Sequence, residues 1–188
     1  MVANSSTRRG SPTRLGRISR GSLKLSVDAQ AFERLALRFR KEWGTAQSGV
    51  MVGARSRVTL ESLRERAYKL ISDIVTAERQ DIFDELIDYY GCRGNSSGLG
   101  EQYLKKGLRA LFPGREIDRR RRLEWGNEFE YAYGHSVSPE MLSAFIRGAG
   151  SRLVIQKKLV EGYVEPGFQS RYHLTITQAG RVWKRIYR

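Results

Sequence analysis

The stretch SPEMLSAFIRGAGSRLVIQKKLVEG, residues 138–162, carries the strongest local signals of the chain. The Ser-Pro-Glu at its start predicts the beginning of a helix, because a hydroxyl caps free N–H groups and both Pro and an acid suit the first turn. Glycines at positions 148 and 150 break this helix, and Ser151 can cap a second one that ends at Gly162. The predicted apolar residues of the two helices are Met141, Leu142, Phe145 and Ile146 in the first and Leu153, Val154, Leu159 and Val160 in the second. Two short helices joined by a glycine-containing turn form a helix-turn-helix pattern.

The residues after this pattern predict a β-hairpin and a last helix. Residues 163–165 and 171–176 are rich in β-branched and aromatic side chains, and the turn segment 166–170, with its Pro-Gly pair, lies between them. Thr177 can cap a final helix. The buried positions of that helix would be Val182, Ile186 and either Trp183 or Tyr187. The predicted order is therefore helix, turn, helix, strand, turn, strand, helix.

This order resembles the winged helix-turn-helix superfamily. The segment KLVEGYVE, residues 158–165, is similar to the passage from the recognition helix into the first strand of the wing. Residues 171–174, followed by ITQAG at 176–180, are similar to the second strand and its terminal hydrophobic-Thr-x-x-Gly. The resemblance covers residues 138–188 and implies a fold rather than a substrate, since winged helices also serve as protein-interaction modules.

The resemblance also implies an interface with a duplex. The second helix of the pattern would lie in or near the major groove, where Arg152, Gln156 and Lys157 would contact bases or phosphates. Lys158 and Arg171 would contact the backbone. For each of these residues the alternative is a charge or amide that simply faces solvent.

The chain before residue 138 is predicted to be mostly helical, because apolar residues recur at intervals of three and four. The predicted elements are a helix at 28–43 capped by Asp28, a loop or small hairpin at 45–58, two helices or one bent helix at 59–90, a glycine-rich connector at 91–100 and a short basic helix at 101–112. The fold class is therefore mainly α with a small β-hairpin. Its regions are a basic flexible arm at 1–27, a helical region at 28–112, a basic and aromatic connector at 113–137 and a winged-helix module at 138–188.

The charge balance indicates a polyanionic partner. The 188 residues include 34 Lys and Arg against 20 Asp and Glu, which gives a formal charge of +14. Nucleic acid is the commonest polyanion that such a charge attracts, and lipid headgroups are a second. Residues 1–27 carry six basic and no acidic side chains, residues 140–188 carry nine basic and three acidic ones, and the part between is nearly balanced. Both ends of the chain are therefore cationic.

The first 27 residues show no apolar periodicity, so they cannot build a core. Their Arg- and Ser-rich composition fits a transit peptide, a solvated tail or an arm that becomes ordered on a polyanion. Only the third alternative, an arm that becomes ordered on a polyanion, predicts that this segment contacts nucleic acid. Its six basic residues are Arg8, Arg9, Arg14, Arg17, Arg20 and Lys24.

A second basic feature is the uninterrupted run Arg119, Arg120, Arg121 and Arg122, which precedes Trp125. Arginines beside aromatic residues can hold phosphates and stack on bases. A solvated helix face above a small aromatic core explains the same residues. The residues predicted to bind nucleic acid are thus the six of the arm, these four arginines, and Arg152, Gln156, Lys157, Lys158 and Arg171.

The sequence gives little support for catalysis. Asp84 and Asp88 lie one helical turn apart, a spacing that holds Mg²⁺ in some nucleases but far more often forms a polar helix face. His135 and His173 have no obvious nucleophile partner in the sequence, and Cys92, the single cysteine, cannot form an internal disulfide. We therefore predict that the protein is not an enzyme and that it uses no cofactor or metal. It is also predicted not to span a membrane, since no apolar run approaches about 18 residues.

Together these features predict a nucleic-acid-binding protein that grips DNA or structured RNA, largely through phosphates, with its C-terminal module and its basic arm. The alternative is a structural component of a virion or ribonucleoprotein particle, with the arm threaded among neighbouring protein subunits. The expected location is intracellular, in the cytoplasm or nucleoid, or within such a particle.

Overall fold

The computed structural model describes residues 24–48, 59–92, 102–168, 172–174 and 185–187. This part of the chain contains seven α-helices: α1 (Val27–Gln47), α2 (Leu60–Thr76), α3 (Asp81–Tyr89), α4 (Tyr103–Leu111), α5 (Arg119–Gly134), α6 (Leu142–Ala149) and α7 (Arg152–Glu161). A short 3-10 helix, Pro139–Met141, leads into α6. Two short strands, β1 (Tyr172–Leu174) and β2 (Arg185–Tyr187), pair in antiparallel register.

Helix α1 buries one face, as its apolar spacing predicts. Phe39 and Trp43 are 4% and 1% exposed. The N-terminal cap, however, is Ser26, whose hydroxyl accepts the N–H of Ala29 at 3.2 Å, so the predicted cap at Asp28 is wrong. The carboxylate of Asp28 instead lies 2.6 Å from a guanidinium nitrogen of Arg79, in the turn between α2 and α3.

The long apolar stretch at 59–90 folds as two helices rather than one bent helix. Thr59 caps α2 by accepting the N–H of Ser62 at 3.0 Å. Helix α2 ends at Thr76, and Glu78 has a φ of 57° before α3 begins. The polar interval in the sequence marks this break, because neither helix has apolar residues there to bury.

Helix α4 lies at the centre of the fold, in contact with α1, α2, α3 and α5. Its Gly107 allows the close approach to α2, because a Cβ at that position would lie only 2.3 Å from Cγ2 of Ile71. Phe112, which follows α4, meets Trp43 and Trp125 edge-on, at ring-centroid distances of 5.8 and 6.4 Å. This aromatic cluster ties α1 to the connection between α4 and α5.

A buried carboxylate holds the beginning of α4. Glu130 of α5 is fully buried, and its Oε1 accepts the backbone N–H groups of Leu104 and Lys105 at 3.1 and 3.4 Å. Gln102, at the cap position itself, supplies no side-chain bond. Glu130 therefore replaces a local cap and fixes α4 against α5.

Replacing Glu130 with alanine is expected to destabilise the protein by about 1–3 kcal/mol, because two N–H groups would lose their acceptor in the interior. Glu130→Gln keeps an amide oxygen that can accept and should cost less. Urea unfolding of the two variants and the wild type measures both effects. Equal losses for alanine and glutamine would show that the two bonds to α4 do not matter.

The predicted fold class is wrong at the wing. Residues 163–168 are not a strand but an irregular turn that packs on α5. The N–H of Glu165, which a strand would use for pairing, donates to Nε2 of His135 at 2.9 Å. Its side-chain Oε1 accepts from Tyr131 Oη at 2.7 Å, and the ring of Phe168 stacks edge-on against Phe145. These contacts with α5 and α6 replace the pairing that the sequence pattern predicts.

The predicted last helix is also wrong in the part that the structure describes. Strand β1 lies within the predicted second wing strand, but its partner is β2, which occupies the end of the predicted helix. Tyr172 is aligned with Tyr187 and Leu174 with Arg185. The predicted cap Thr177 lies outside the described residues. The described fold is therefore helical, and neither the small β-hairpin nor the winged helix-turn-helix is formed as predicted.

The two helices of the helix-turn-helix pattern are confirmed as elements, but their faces differ from the prediction. Gly150, at a φ of 114°, separates α6 from α7. Ile155 is the only buried residue of α7, whereas Leu153 and Val160 are 67% and 62% exposed. Met141, predicted to face a core, is 58% exposed. Helix α7 thus packs on α5 with Ile155 buried between them and leaves several other apolar side chains in solvent.

Candidate nucleic-acid interface

The arginine run forms the first turn of α5. Asp118 caps this helix by accepting the N–H of Arg121 at 2.8 Å. Arg119 and Arg120 are exposed, whereas Arg121 and Arg122 are half-buried. Trp125, one turn later, is only 7% exposed and packs in the aromatic cluster. Trp125 is therefore part of the core and not available to stack on bases, while the exposed Arg119 and Arg120 fit a phosphate contact and a solvated helix face equally well.

One side of this turn borders a cleft between α4 and α5, with a volume of about 1020 Å³. Five basic residues and one acidic residue line it. The lining residues are Lys105, Arg109, Pro113, Gly114, Arg115, Ile117, Asp118, Arg119, Arg122 and Leu123. We call this space the α4–α5 cleft. Its positive excess attracts anions.

Lys105 reaches the cleft because α5 has a glycine opposite it. A Cβ at Gly126 would lie 2.8 Å from Cγ of Lys105, so the aliphatic stem of the lysine packs directly on the α5 backbone. The Glu130 carboxylate fixes the first turn of α4, which carries Lys105. Helix packing, rather than sequence proximity, therefore brings this lysine to the arginines of α5.

The other side of the same turn borders a smaller groove between α5 and α7, of about 440 Å³. Its lining residues are Arg119, Arg120, Leu123, Glu124, Asn127, Arg152, Leu153 and Gln156. Glu124 holds two of its arginines, at 3.1 Å from Arg120 and in a short ion pair with Arg152. Burial raises the pKa of Glu124, but the hydrogen bonds from Arg152 and Arg120 outweigh it and lower the pKa overall. Glu124 therefore stays ionised and orients both arginines.

The cleft and the groove adjoin, because Arg119 and Leu123 line both of them. The basic side chains of three helices and one loop consequently form a single surface, which we call the α5 cationic surface. Its members are Lys105, Arg109, Arg115, Arg119, Arg120, Arg122 and Arg152. Arg119, Arg120, Arg122, Arg152 and the neighbouring Gln156 are among the predicted residues.

Three members were missed by sequence reasoning: Lys105, Arg109 and Arg115. Lys105 stands beside Lys106 in the short basic helix predicted at 101–112, and Arg109 and Arg115 are single basic residues, so nothing in the sequence shows that the three face the arginines of α5. The helical spacing of Lys105 and Arg109 does place them one turn apart on α4. This spacing predicts that the two side chains share one face of α4. Only the packing of α4 on α5 shows that this face lies beside the arginines of α5.

The other predicted residues lie elsewhere. Lys24 is exposed before α1, and Lys157 lies 3.8 Å from Glu161 on the surface of α7. Lys158 is half-buried, and its Nζ donates to the carbonyl of Ala149 at 2.8 Å and to Glu165 at 2.6 Å. Lys158 therefore joins the end of α6 to the turn after α7 rather than facing solvent. Arg8, Arg9, Arg14, Arg17, Arg20 and Arg171 lie outside the described residues.

His135 belongs to the same interior cluster as Lys158. Its Nε2 accepts the N–H of Glu165 at 2.9 Å, so its proton is on Nδ1, which donates to the carbonyl of Tyr131 at 2.7 Å. Burial lowers the pKa of His135. Lys158 and Glu165 are the charged groups that act on it, in opposite directions. His135 is therefore a neutral structural residue that fixes the turn after α7.

This burial predicts a pH dependence of stability. At pH values above about 6.5, His135 is neutral in both states and its contribution is complete. As the pH falls through about 6.5, the unfolded chain binds a proton that the folded chain does not, and the free energy of unfolding falls by at most about 1.4 kcal/mol per pH unit.

The expected result for His135→Gln is a smaller loss of stability between pH 7 and pH 5 than in the wild type. Urea unfolding at several pH values measures it. Parallel pH profiles for the two proteins would contradict the assignment of a neutral His135 in the fold.

Of the two carboxylates considered as a metal pair, Asp84 lies 3.0 Å from Nζ of Lys106 on α4, so its charge is paired with that lysine. No group of three His, Cys, Asp or Glu side chains suited to a metal ion occurs among the described residues.

Comparisons with protein-family models, curated proteins and solved structures gave no match. No helix in the described part of the chain is both long and apolar enough to cross a membrane.

Proposed function

We propose that the protein binds nucleic acid through phosphate contacts along the α5 cationic surface. The observation that carries the proposal is the convergence of seven basic residues from α4, α5, α7 and the loop before α5 on one turn of helix. In the sequence these residues are spread from position 105 to position 152, and only the fold brings them together. A surface with this excess of guanidinium groups complements the charge of phosphate groups, and each guanidinium can hold two oxygens of one phosphate.

One amide side chain of the groove supports a contact with bases as a minor part of binding. Gln156 is exposed and lines the α5–α7 groove beside Arg152, whereas Asn127, which also borders the groove, is only 4% exposed and belongs to the interior. Amide side chains can read base edges, while arginines hold the backbone. The proposal is nevertheless one of backbone binding, because arginines outnumber amides on this surface.

A salt titration tests the proposal. The affinity of the protein for a labelled duplex and for a labelled single strand is measured from low to physiological salt. Phosphate binding predicts a straight decline of log affinity with log salt, with a slope of about −0.9 per phosphate contacted on duplex DNA and about −0.7 on a single strand. Absence of binding at low salt, or affinity that does not change with salt, would contradict it.

One observation favours a second candidate, a structural component of a virion or ribonucleoprotein particle. Leu153 and Val160 of α7 and Met141 before α6 are more than half exposed. Leu153 and Val160 are seven positions apart on α7 and so lie on one side of that helix. Exposed apolar side chains on one face are typical of surfaces that contact other protein subunits. Self-association of the purified protein without nucleic acid would support this candidate, and a strictly monomeric protein with salt-dependent binding would favour the first.

A further inference from the structure

Two arginines of the α4–α5 cleft lie half-buried without a carboxylate partner among the described residues. Arg122 donates from Nη2 to the carbonyls of Gly114 and Ile117, at 2.8 and 3.4 Å. The Nε atoms of Arg122 and Arg109 are buried and have no hydrogen-bond partner. Buried polar groups in native proteins are nearly always paired, so two such donors beside one cleft indicate a missing acceptor.

The two guanidinium groups also act on each other. Burial, and then the charge of Arg109, lower the pKa of Arg122. A guanidinium nevertheless remains protonated in proteins, so the cleft keeps a positive charge that water only partly screens. The fold thus holds two like charges close together in a place where an anion would relieve both their desolvation and their repulsion.

The acidic groups near this pair do not supply that anion. Asp118 accepts the N–H of Arg121 at 2.8 Å as the cap of α5. Among the described residues Glu116 forms no ion pair with either arginine, although its charge acts on Arg122 and its Oε2 is buried without a hydrogen-bond partner. Lys105, Arg115 and Arg119 complete the cleft, which therefore stays positive with both carboxylates counted.

We propose that Arg109 and Arg122 bind a phosphoryl group that carries two negative charges, such as a terminal phosphate or a polyphosphate. Two guanidinium groups, of which Arg122 is held by two backbone carbonyls, match a dianion better than the single charge of an internal phosphodiester. The planar fork of arginine also suits two oxygens of one phosphoryl group. Where that group is the end of a nucleic-acid strand, the site rests on the proposed function; a free nucleotide is the other source.

Calorimetric titration with inorganic pyrophosphate tests the site without any polymer. The wild type is expected to bind pyrophosphate, and Arg109→Gln is expected to weaken binding by about tenfold or more, which corresponds to the loss of about one charge-assisted pair. Arg109 makes no hydrogen bond to a described residue, so this change should leave the fold intact, as a thermal melt can confirm. Arg34→Gln, an equal charge change on exposed α1, should bind as the wild type does.

A second variant keeps the test decisive if Arg109→Gln unfolds. Arg109→Lys retains the charge but not the fork, and an affinity between those of wild type and glutamine is expected. No measurable heat with pyrophosphate, or equal affinities for the wild type, Arg109→Gln and Arg34→Gln, would overturn the proposal.

Two further arms identify the source of the phosphoryl group. Oligonucleotides of one sequence, with and without a 5′-phosphate, are compared with a nucleoside triphosphate. A preference for the phosphorylated strand that disappears in Arg109→Gln assigns the site to strand ends, whereas tight binding of the nucleotide alone assigns it to free nucleotides. Salt-dependent binding of oligonucleotides without binding of pyrophosphate would refute this site alone, and the reverse result would refute the proposed function alone.

Discussion

Trp43→Ala is expected to destabilise the protein by about 3–5 kcal/mol, the usual cost of truncating a fully buried aromatic side chain. Trp43 is 1% exposed, and its ring lies 5.3 Å from that of Trp125 and 5.8 Å from that of Phe112. Its Nε1 also donates to the carbonyl of Glu116 at 2.8 Å. The variant loses packing on two helices and a hydrogen bond at once, out of a total stability of about 5–15 kcal/mol.

The effect of Trp43 should reach the cationic surface. The Glu116 carbonyl that accepts from Trp43 belongs to the loop at 113–117, which borders the α4–α5 cleft.

Urea unfolding measures the stability of Trp43→Ala. Leu37→Ala is a control on the same helix, because Leu37 is 54% exposed and its truncation should cost less than about 0.5 kcal/mol. Similar losses in the two variants would show that Trp43 is not part of the core.

The double variant Arg115→Gln with Arg119→Gln is expected to weaken nucleic-acid binding about tenfold or more at moderate salt, because charge-assisted bonds contribute about 1.5–3 kcal/mol each before screening. Both side chains are exposed and line the cleft. Each phosphate contact contributes about 0.9 to the salt slope on duplex DNA, so the slope should fall by at most about 1.8.

A matched control removes the same charge elsewhere. Arg34→Gln with Arg38→Gln changes two exposed arginines of α1 that line neither the cleft nor the groove. A small and equal loss in both double variants would mean that net charge, rather than the α5 cationic surface, governs binding. Circular dichroism of the two variants confirms that neither is unfolded.

Helix formation was predictable where local signals agreed with packing. The apolar spacing of α1 and the Thr59 cap of α2 identify those helices, and Gly150 marks the turn before α7. The structure of residues 163–168 was not predictable from the sequence. The residues after Gly162 are compatible with a β-strand and equally compatible with the irregular turn that forms. The contacts that decide between them, from Glu165 to His135 and Tyr131, join residues at least 30 positions apart.

The candidate site was predictable only in part, for the same reason. Arg119 to Arg122 stand out as a run, so the sequence identified the centre of the surface. Lys105 and Arg109 look like any basic helix until α4 packs on α5. Lys158 shows the opposite case, since it looks like a surface cation and the structure turns it inward to Glu165.

Nuclear magnetic resonance of the arginine side chains during titration with a short duplex tests the phosphate-binding surface most directly, because each Nε–H reports its own surroundings. The account predicts that the signals of Arg115, Arg119 and Arg120 shift on binding, while those of Arg34 and Arg38 stay in place. Shifts confined to Arg34, Arg38 or residues outside the α5 cationic surface would contradict it.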